Sequence, residues 1–487
     1  MTDSTTDVTT SDAAEAGPFG GLLDGPPHVV TAGVELFEST LRDQSVEVTA
    51  VDWRPPIEGD LAGPLARIAA DPRTADANAD ALARITSAEP HWVGIRSAAD
   101  AVGLEKGQFL HAGPPITWER ASGPMRGALI AAMLYEGMAD TPEAAEAIGE
   151  AGELELSPCH HHAAVGPMAG VVSPSMPMFV IENGAFGNQA FCTLNEGLGK
   201  VLRYGAFAPE VIDRLNWMQR VLGPALEAAV GQLGSLDLRA IITQALQMGD
   251  ELHNRNRAAS AMIVKEVVPP LLEAGIDPHD LADVVRFVNG NEHFFLNLGM
   301  PAVKATMDPV RDIPGCSVIV AMARNGTDFG VQVSGTGDRW FTGPAEVPDG
   351  LFLGDYTAED ANPDIGDSTI METAGVGGFA MASAPAIVRF VGGQASDALD
   401  ATRSMYAITL GEHPHYQVPI LEFRGTPVGI DVTRIARTGV LPFVNTGIAG
   451  KVAGTGQVGA GLVSPPVSVF TDAVRALAEL AEAPPAP

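Results

Sequence analysis

The sequence predicts a multidomain α/β protein, with a small Rossmann-like α/β layer at the N-terminus, a central helical domain and a mixed α/β C-terminal domain. Three observations carry this expectation. A strand, helix, strand run opens at His28, amphipathic helical runs fill Pro209 to about Asn297, and alternating apolar runs with turn dipeptides begin at Ser317. A chain of 487 residues has room for roughly two to four domains. With 46% hydrophobic and 18% charged residues it reads as neither disordered nor a coiled coil, and no apolar run approaches a membrane span.

Residues 1–18 are Thr, Ser, Asp and Ala with almost no large apolar side chain, so a disordered acidic tail is expected there. Residues 19–120 are assigned to the N-terminal α/β domain. HVVTAG, VELFESTLRD and VEVTAVDWRPP form its first βαβ unit, closed by a double proline that neither element can continue through. Gly33 is the one glycine in its first turn, so a dinucleotide fingerprint is missing and packing is the expected role. Asp60 to about Ser87 is Ala-rich with helical spacing, and strands are expected near Trp92–Ile95 and ending in FLHAGPP. Residues 121–205 form a loop-rich α/β segment. It starts with GPMRGALIAAMLYEG, apolar all round and therefore a buried helix, and contains two apolar runs that bracket ENGAFGN as a hairpin or crossover. Residues 206–312 are assigned to the helical domain and 313–480 to the C-terminal domain, where Asn325-Gly326 marks a hairpin. Further strands are expected at Ile420–Phe423, Pro427–Val432 and Leu441–Val444, with a closing helix at SVFTDAVRALAELAE and a frayed tail over 481–487.

Lys and Arg total 29 against 60 Asp and Glu, a formal net charge of −31. A field of that sign repels phosphate backbones and anionic lipids, so nucleic acid and membranes are poor partners. Cys159, Cys192 and Cys316 are widely spaced, with no CxxC pair and no signal-like N-terminal segment, which points to a reducing cytoplasm. The 54 Gly and 37 Pro imply many irregular loops, where binding sites tend to sit, and favour an enzyme over a scaffold.

The densest polar segment is QMGDELHNRNR, between two apolar helical runs. Polar residues occupy almost every azimuth from Asp250 to Arg257, which suggests a helix end lining a cavity; an exposed inter-helix loop is the alternative. Asp250, His253, Asn254 and Arg255 are the catalytic candidates here, and Asn256 and Arg257 the substrate-binding ones. Cys159-His160-His161-His162 is the second cluster. Adjacent side chains diverge on helix and strand alike, so no metal is expected; His161 is offered as acid or base and His160 as a substrate donor, against a loop held by backbone bonds. METAGVGGFAM, preceded by Asp364 and Asp367, is a glycine-rich candidate for anion or substrate binding, with Glu372, Gly375 and Gly377 singled out; close packing by small residues is the alternative. Arg126, at the start of the buried helix beside free backbone N–H groups, is a further substrate-binding candidate. Gly454, Gly456 and Gly459 match G-x-G-x-x-G, but no helix follows and the match is incidental. No G-x-S-x-G elbow, Walker loop, HExxH or EF-hand is present.

Five blocks, HAGPPITWERASGPMRGA, PCHHHAAVGPMAGVVSPSMP, FCTLNEGLGKVLRYG, QALQMGDELHNRNRAA and NPDIGDSTIMETAGVGGFAM, resemble the bacterial YlbE family, over about His28 to Leu480. One branch of that family is the AllG-type subunit of oxamate carbamoyltransferase, which acts in allantoin catabolism beside an FdrA-like subunit, a third subunit and a carbamate kinase. The resemblance implies interconversion of oxalurate plus phosphate with oxamate plus carbamoyl phosphate. Such transfer needs oxyanion donors, cations or N–H groups for phosphate, a clamp for the oxamate carboxylate and a base near the amide nitrogen. It requires no cofactor, metal or covalent nucleophile. The resemblance leaves two roles open: a catalytic subunit, active only as a hetero-oligomer and expected to form a homo-oligomer itself, or a non-catalytic structural or ligand-binding subunit whose FdrA-like partner, resembling acyl-CoA ligases, holds the site.

Overall fold

The structure is a computed structural model that describes residues 28–32, 35–51 and 55–482. The tail expected at 1–18 lies outside the described residues, as do Gly33 and 483–487. The chain divides into two compact units between Pro55 and Pro56, at the double proline.

In the first unit the strand His28–Ala32 pairs in parallel with Glu47–Val51, joined through the helix Glu35–Asp43. This is the βαβ unit expected from the sequence.

The second unit is a mixed α/β body of several small sheets. Pro90–Ser97 is central to a four-stranded antiparallel sheet with Pro177–Asn183, Gln189–Thr193 and Leu236–Asp237. Ile319–Asn325 and Asp328–Val333 form the hairpin expected at Asn325-Gly326, flanked by Phe341–Pro344 and Ile365–Gly366. A third sheet is built from Asp349–Phe352, Gln457–Val463 and Val444–Ala449. The buried helix Gly123–Tyr135 forms as expected, with every residue from Gly127 to Met133 buried.

Several expectations need correction. A Rossmann-like layer over 19–120 is not what 90–115 builds, because Pro90–Ser97 runs antiparallel to Pro177–Asn183 and Gln108–His111 pairs with Glu155–Pro158. Both pairings cross residue 120. The helices of 206–312 exist, but Leu226, Leu246, Ile263 and Val303 share one core with Trp92, Phe179 and Val320, so they are not a separate domain. Helices bury one face against whatever sheet completes the core, and local periodicity does not say which sheet that is. Ile420–Phe423 is no strand: a short 3-10 turn, Pro419–Leu421, runs into Glu422 and Phe423 with φ of 57° and 59°, reversing the chain between Thr409–Val418 and Arg424–Ile430. The strand expected at Leu441–Val444 begins at Val444 and runs to Ala449. The run from Pro209 is interrupted by a π turn at Met218–Leu222, just ahead of Gly223-Pro224, where proline lacks the N–H for a regular ladder.

The ends of the second unit meet. Leu65 and Ile68 of the helix Ala62–Ala70 share a core with Phe470, Val474 and Leu477 of the closing helix Val467–Glu479. Arg73 also donates to Glu482 (2.7 Å) and to Leu480 O (3.0 Å).

Candidate active site

The polar segment predicted to be a helix end is one. The helix Leu238–Gln247 is followed after one residue by Gly249, whose φ is 95°, and the next helix starts at Arg257. Between them Leu252 is held at φ 74° while fully buried, in a region that costs a branched side chain free energy. Its burial in the core offsets that cost and turns Glu251 and His253, on either side of it, into the interior.

His253 is the hub. Its Nδ1 lies 2.8 Å from Glu372 Oε1 and its Nε2 lies 2.8 Å from Ser368 Oγ. Glu372 Oε1 also accepts from Gly378 N–H, so it acts as an acceptor and Nδ1 carries the imidazole proton. Arg324, which can only donate, reaches Ser368 Oγ from the other side at 3.4 Å, which leaves the hydroxyl proton for Nε2. Ser368, His253 and Glu372 thus form a buried relay. Sequence reasoning missed Ser368, although it lies in the quoted block NPDIGDSTIMETAGVGGFAM.

The relay rests on a buried ion pair. Arg324 grips Asp364 in a two-pronged bond of 2.5 and 2.9 Å, both side chains essentially unexposed, and also donates to Gly366 O and Thr369 Oγ1. A pair of this kind is weak evidence for net stability, but removing one partner strands a buried charge, so it fixes where 364–369 runs. The loop around Glu372 needs its glycines. Gly377 has φ 63°, and a β-carbon there would collide with Glu372 Oε1 and approach His253 Cβ to 3.2 Å; at Gly375, φ 83°, one would meet Pro427 O at 2.7 Å.

Glu251 is buried beside His253. One of its oxygens accepts from Asn254 N–H, Arg255 N–H and Asn445 Nδ2. Burial nonetheless outweighs those bonds and the nearby imidazole and pushes the carboxyl up to about 7. Several buried polar atoms in this neighbourhood have no hydrogen-bond partner: Asn254 Nδ2, Asn256 Oδ1, Glu372 Oε2 and Asn445 Oδ1.

Asn254, Arg255, Asn256 and Arg257 line a cleft of about 410 Å³, whose other walls include His293, Arg389 and Gln457. Burial, with the Arg203 charge, holds His293 down to about 4, so it faces the cleft as a neutral ring. Exposed Leu198, Leu351 and Leu353 form its outer rim. Arg257 pairs with Glu292 through Nε at 2.7 Å, and Arg255 donates to Gly249 O.

Other predicted residues fall elsewhere. Asp250 turns to the next helix, where Oδ2 accepts from Ala259 N–H; this is a capping bond. Arg126 donates to Trp118 O and Glu119 O and lies over the Trp118 ring, so its contacts are with that turn. Cys159–His162 is a short 3-10 turn whose histidines diverge: His160 lies 3.5 Å from Asp367, His161 accepts from Trp340 Nε1, and His162 meets Ser157 Oγ. His160 and His161 line a second cavity. Asp367, next to Ser368 in the chain, accepts from Gly113 N–H and Gly166 N–H. Arg324 and Asn445 sit in strands whose apolar neighbours masked them in the sequence.

Comparison with known proteins adds the family. The profile described as oxamate carbamoyltransferase subunit AllG matches residues 154–368. Oxamate carbamoyltransferase subunit AllG of Escherichia coli (strain K12) is 46% identical over 409 residues, covering 83% of this chain and 98% of that protein. Uncharacterized protein YahG of the same strain is 45% identical over 460 residues, covering 93% and 97%. The crystal structure of a conserved protein of unknown function from Enterococcus faecalis V583 superposes with a TM-score of 0.83 at 44% identity, covering 84% of this chain and 98% of that one.

Proposed function

The chain belongs to the family of oxamate carbamoyltransferase subunit AllG, and on that premise we propose that it works in a cytoplasmic hetero-oligomer that interconverts oxalurate plus phosphate with oxamate plus carbamoyl phosphate. Among the described residues no helix is long and apolar enough to cross a membrane. Its partners are an FdrA-like subunit and a third subunit, and the substrates are taken up in the cleft beside Asn254–Arg257.

One observation carries this assignment: unpartnered buried amide and carboxylate atoms cluster around a His253 relay at the edge of an arginine-lined cleft. Buried polar groups without partners cost free energy unless a ligand completes them. In the phosphorolytic direction a phosphate oxygen adds to the carbamoyl carbon, the C–N bond to oxamate breaks, and the departing amide nitrogen takes a proton. Arg255, Arg257 and Arg389 supply charge for the anionic groups, Asn254 offers a donor to the developing oxyanion, and His253 is the proton carrier, its tautomer set by Glu372.

A second role, a ligand-binding subunit whose partner performs the chemistry, is favoured by one feature: His253 is 3% and Ser368 2% exposed, and neither lines the cleft. The co-purified complex is assayed for oxalurate-dependent and phosphate-dependent carbamoyl phosphate, coupled to carbamate kinase and ADP. No product from the complex overturns the reaction. Product formation that is indifferent to His253→Ala, in a folded variant, assigns the chemistry to the partner.

A further inference from the structure

The second cavity, about 360 Å³, is lined by none of His253, Ser368 or Glu372, and its wall residue His160 lies 3.5 Å from Asp367. It is lined by His160, His161, Ala163, Lys304, Asp308, Arg311 and Asp338. Lys304 is buried and its charge is already balanced, with Nζ 2.6 Å from Asp308 Oδ1 and 3.3 Å from His160 O. His160 is 3% exposed; its Nε2 lies 3.5 Å from Asp367 Oδ1, outside hydrogen-bond geometry, and its Nδ1 has no partner at all, an unusual state for a buried imidazole that faces a cavity. Burial keeps that ring neutral, so it can both donate and accept.

Arg311 differs from Lys304 in what satisfies it. Its Nη1 is held from behind by Gln332 Oε1 at 3.0 Å, and its Nη2 meets Asp338 Oδ1 at 2.9 Å. The Arg311 side chain is 14% exposed, whereas the Asp338 side chain is 80% exposed. The Asp338 backbone is anchored separately, because its carbonyl accepts from Gln332 Nε2. The acid therefore occupies the mouth of the cavity as a removable carboxylate on a fixed backbone.

We propose that this cavity is a binding site for a small monocarboxylate, which displaces Asp338 from Arg311 and completes the bonding of His160. Charge decides between ligand classes. With Lys304 paired to Asp308, and with the buried Asp367 carboxylate, held by Gly113 and Gly166 N–H, adding negative charge 3.5 Å from His160, the departure of Asp338 frees no more than the Arg311 charge, which suits a monoanion better than a phosphate dianion. The Asp338 carboxylate already shows the geometry an incoming carboxylate takes up. An amide next to the carboxylate finds His160 as its partner. The site stands whether or not the chain transfers carbamoyl groups, and it is tested without any turnover assay.

Trp340 reports on the site, since its Nε1 donates to His161 and its ring stands edge-on to His160 at 5.6 Å between centroids. Tryptophan fluorescence and calorimetry of the full chain are followed while oxamate, acetate or inorganic phosphate is added. The carboxylates are expected to shift the fluorescence, and Trp340→Phe to remove that shift while calorimetric binding persists. Asp338→Asn should tighten carboxylate binding by up to about fivefold, the value of an exposed ion pair. Arg311→Gln should weaken it by about tenfold or more. A misfolded protein cannot mimic the gain in Asp338→Asn, so that variant decides the matter. As read by the Trp340 signal, which the cleft beside Asn254–Arg257 does not contact, unchanged or weaker binding in Asp338→Asn, no binding of either carboxylate, or tighter binding of phosphate than of acetate would each overturn the proposal. None of these results bears on carbamoyl phosphate formation, which is read separately by the coupled assay.

Discussion

Replacing Glu251 by Gln should abolish a specific pH dependence of stability. The carboxyl is fully buried and sits at about 7 in the folded chain, against an ordinary 4.5. A raised acid binds its proton more tightly when folded, so its contribution is fully present below 4.5 and is lost as pH rises through 7. Each pH unit in that window is worth about 1.4 kcal/mol, so wild-type stability should fall by roughly 2 kcal/mol between pH 5.5 and 7 through this group. His293 and His413 oppose it. Burial depresses them to about 4 and about 3, so they favour the folded state above 6.5 and withdraw that support as pH falls. The quantity to measure is therefore the difference between wild type and Glu251→Gln, from urea unfolding followed by circular dichroism at pH 5.5, 6.25, 7 and 8. Gln keeps an acceptor for Asn254 N–H and Asn445 Nδ2, which preserves the loop. The stability of wild type relative to the variant should decline steadily to pH 7 and then level off. A difference that is flat or that rises with pH would refute the assignment of a buried, proton-holding Glu251.

Within the reconstituted complex, His253→Ala and Asn254→Ala should each lower turnover by about 10² to 10³, the usual effect of losing a donor or proton carrier, as read by steady-state kinetics. Arg257→Ala should raise the apparent substrate constant while changing unfolding stability by less than about 1 kcal/mol, because its pair with Glu292 is exposed on both sides. Gly377→Ala should destabilise the chain by about 1–3 kcal/mol, since it combines a left-handed φ with a collision against Glu372, and thermal unfolding measures that directly.

Local signals served well where the structure is local. The βαβ run at His28, the all-apolar helix at Gly123 and the Asn-Gly hairpin at Asn325 each depend on residues within a short window. The polar density at 250–257 and the glycines at 375 and 377 marked two halves of one candidate site, yet nothing in the chain shows that His253 meets Glu372 across 119 residues. Arg324 and Asn445 stayed hidden because they occupy strands, where one polar residue among apolar neighbours reads as noise. Asp250 misled for the opposite reason. A carboxylate near a helix start is as well suited to capping as to catalysis, and only the Ala259 N–H distinguishes the two.

The meeting of Arg73 with Glu482, 409 positions later, has a consequence for biosynthesis. The helix Ala62–Ala70 is made long before Val467–Glu479, the helix that covers its apolar face. At typical synthesis rates of about 5–20 residues per second the gap amounts to tens of seconds, during which Leu65 and Ile68 have no native cover from that helix. The unit can therefore close only after Val467–Glu479 has been made, and a nascent chain stalled before Val467 should present this helix to chaperones.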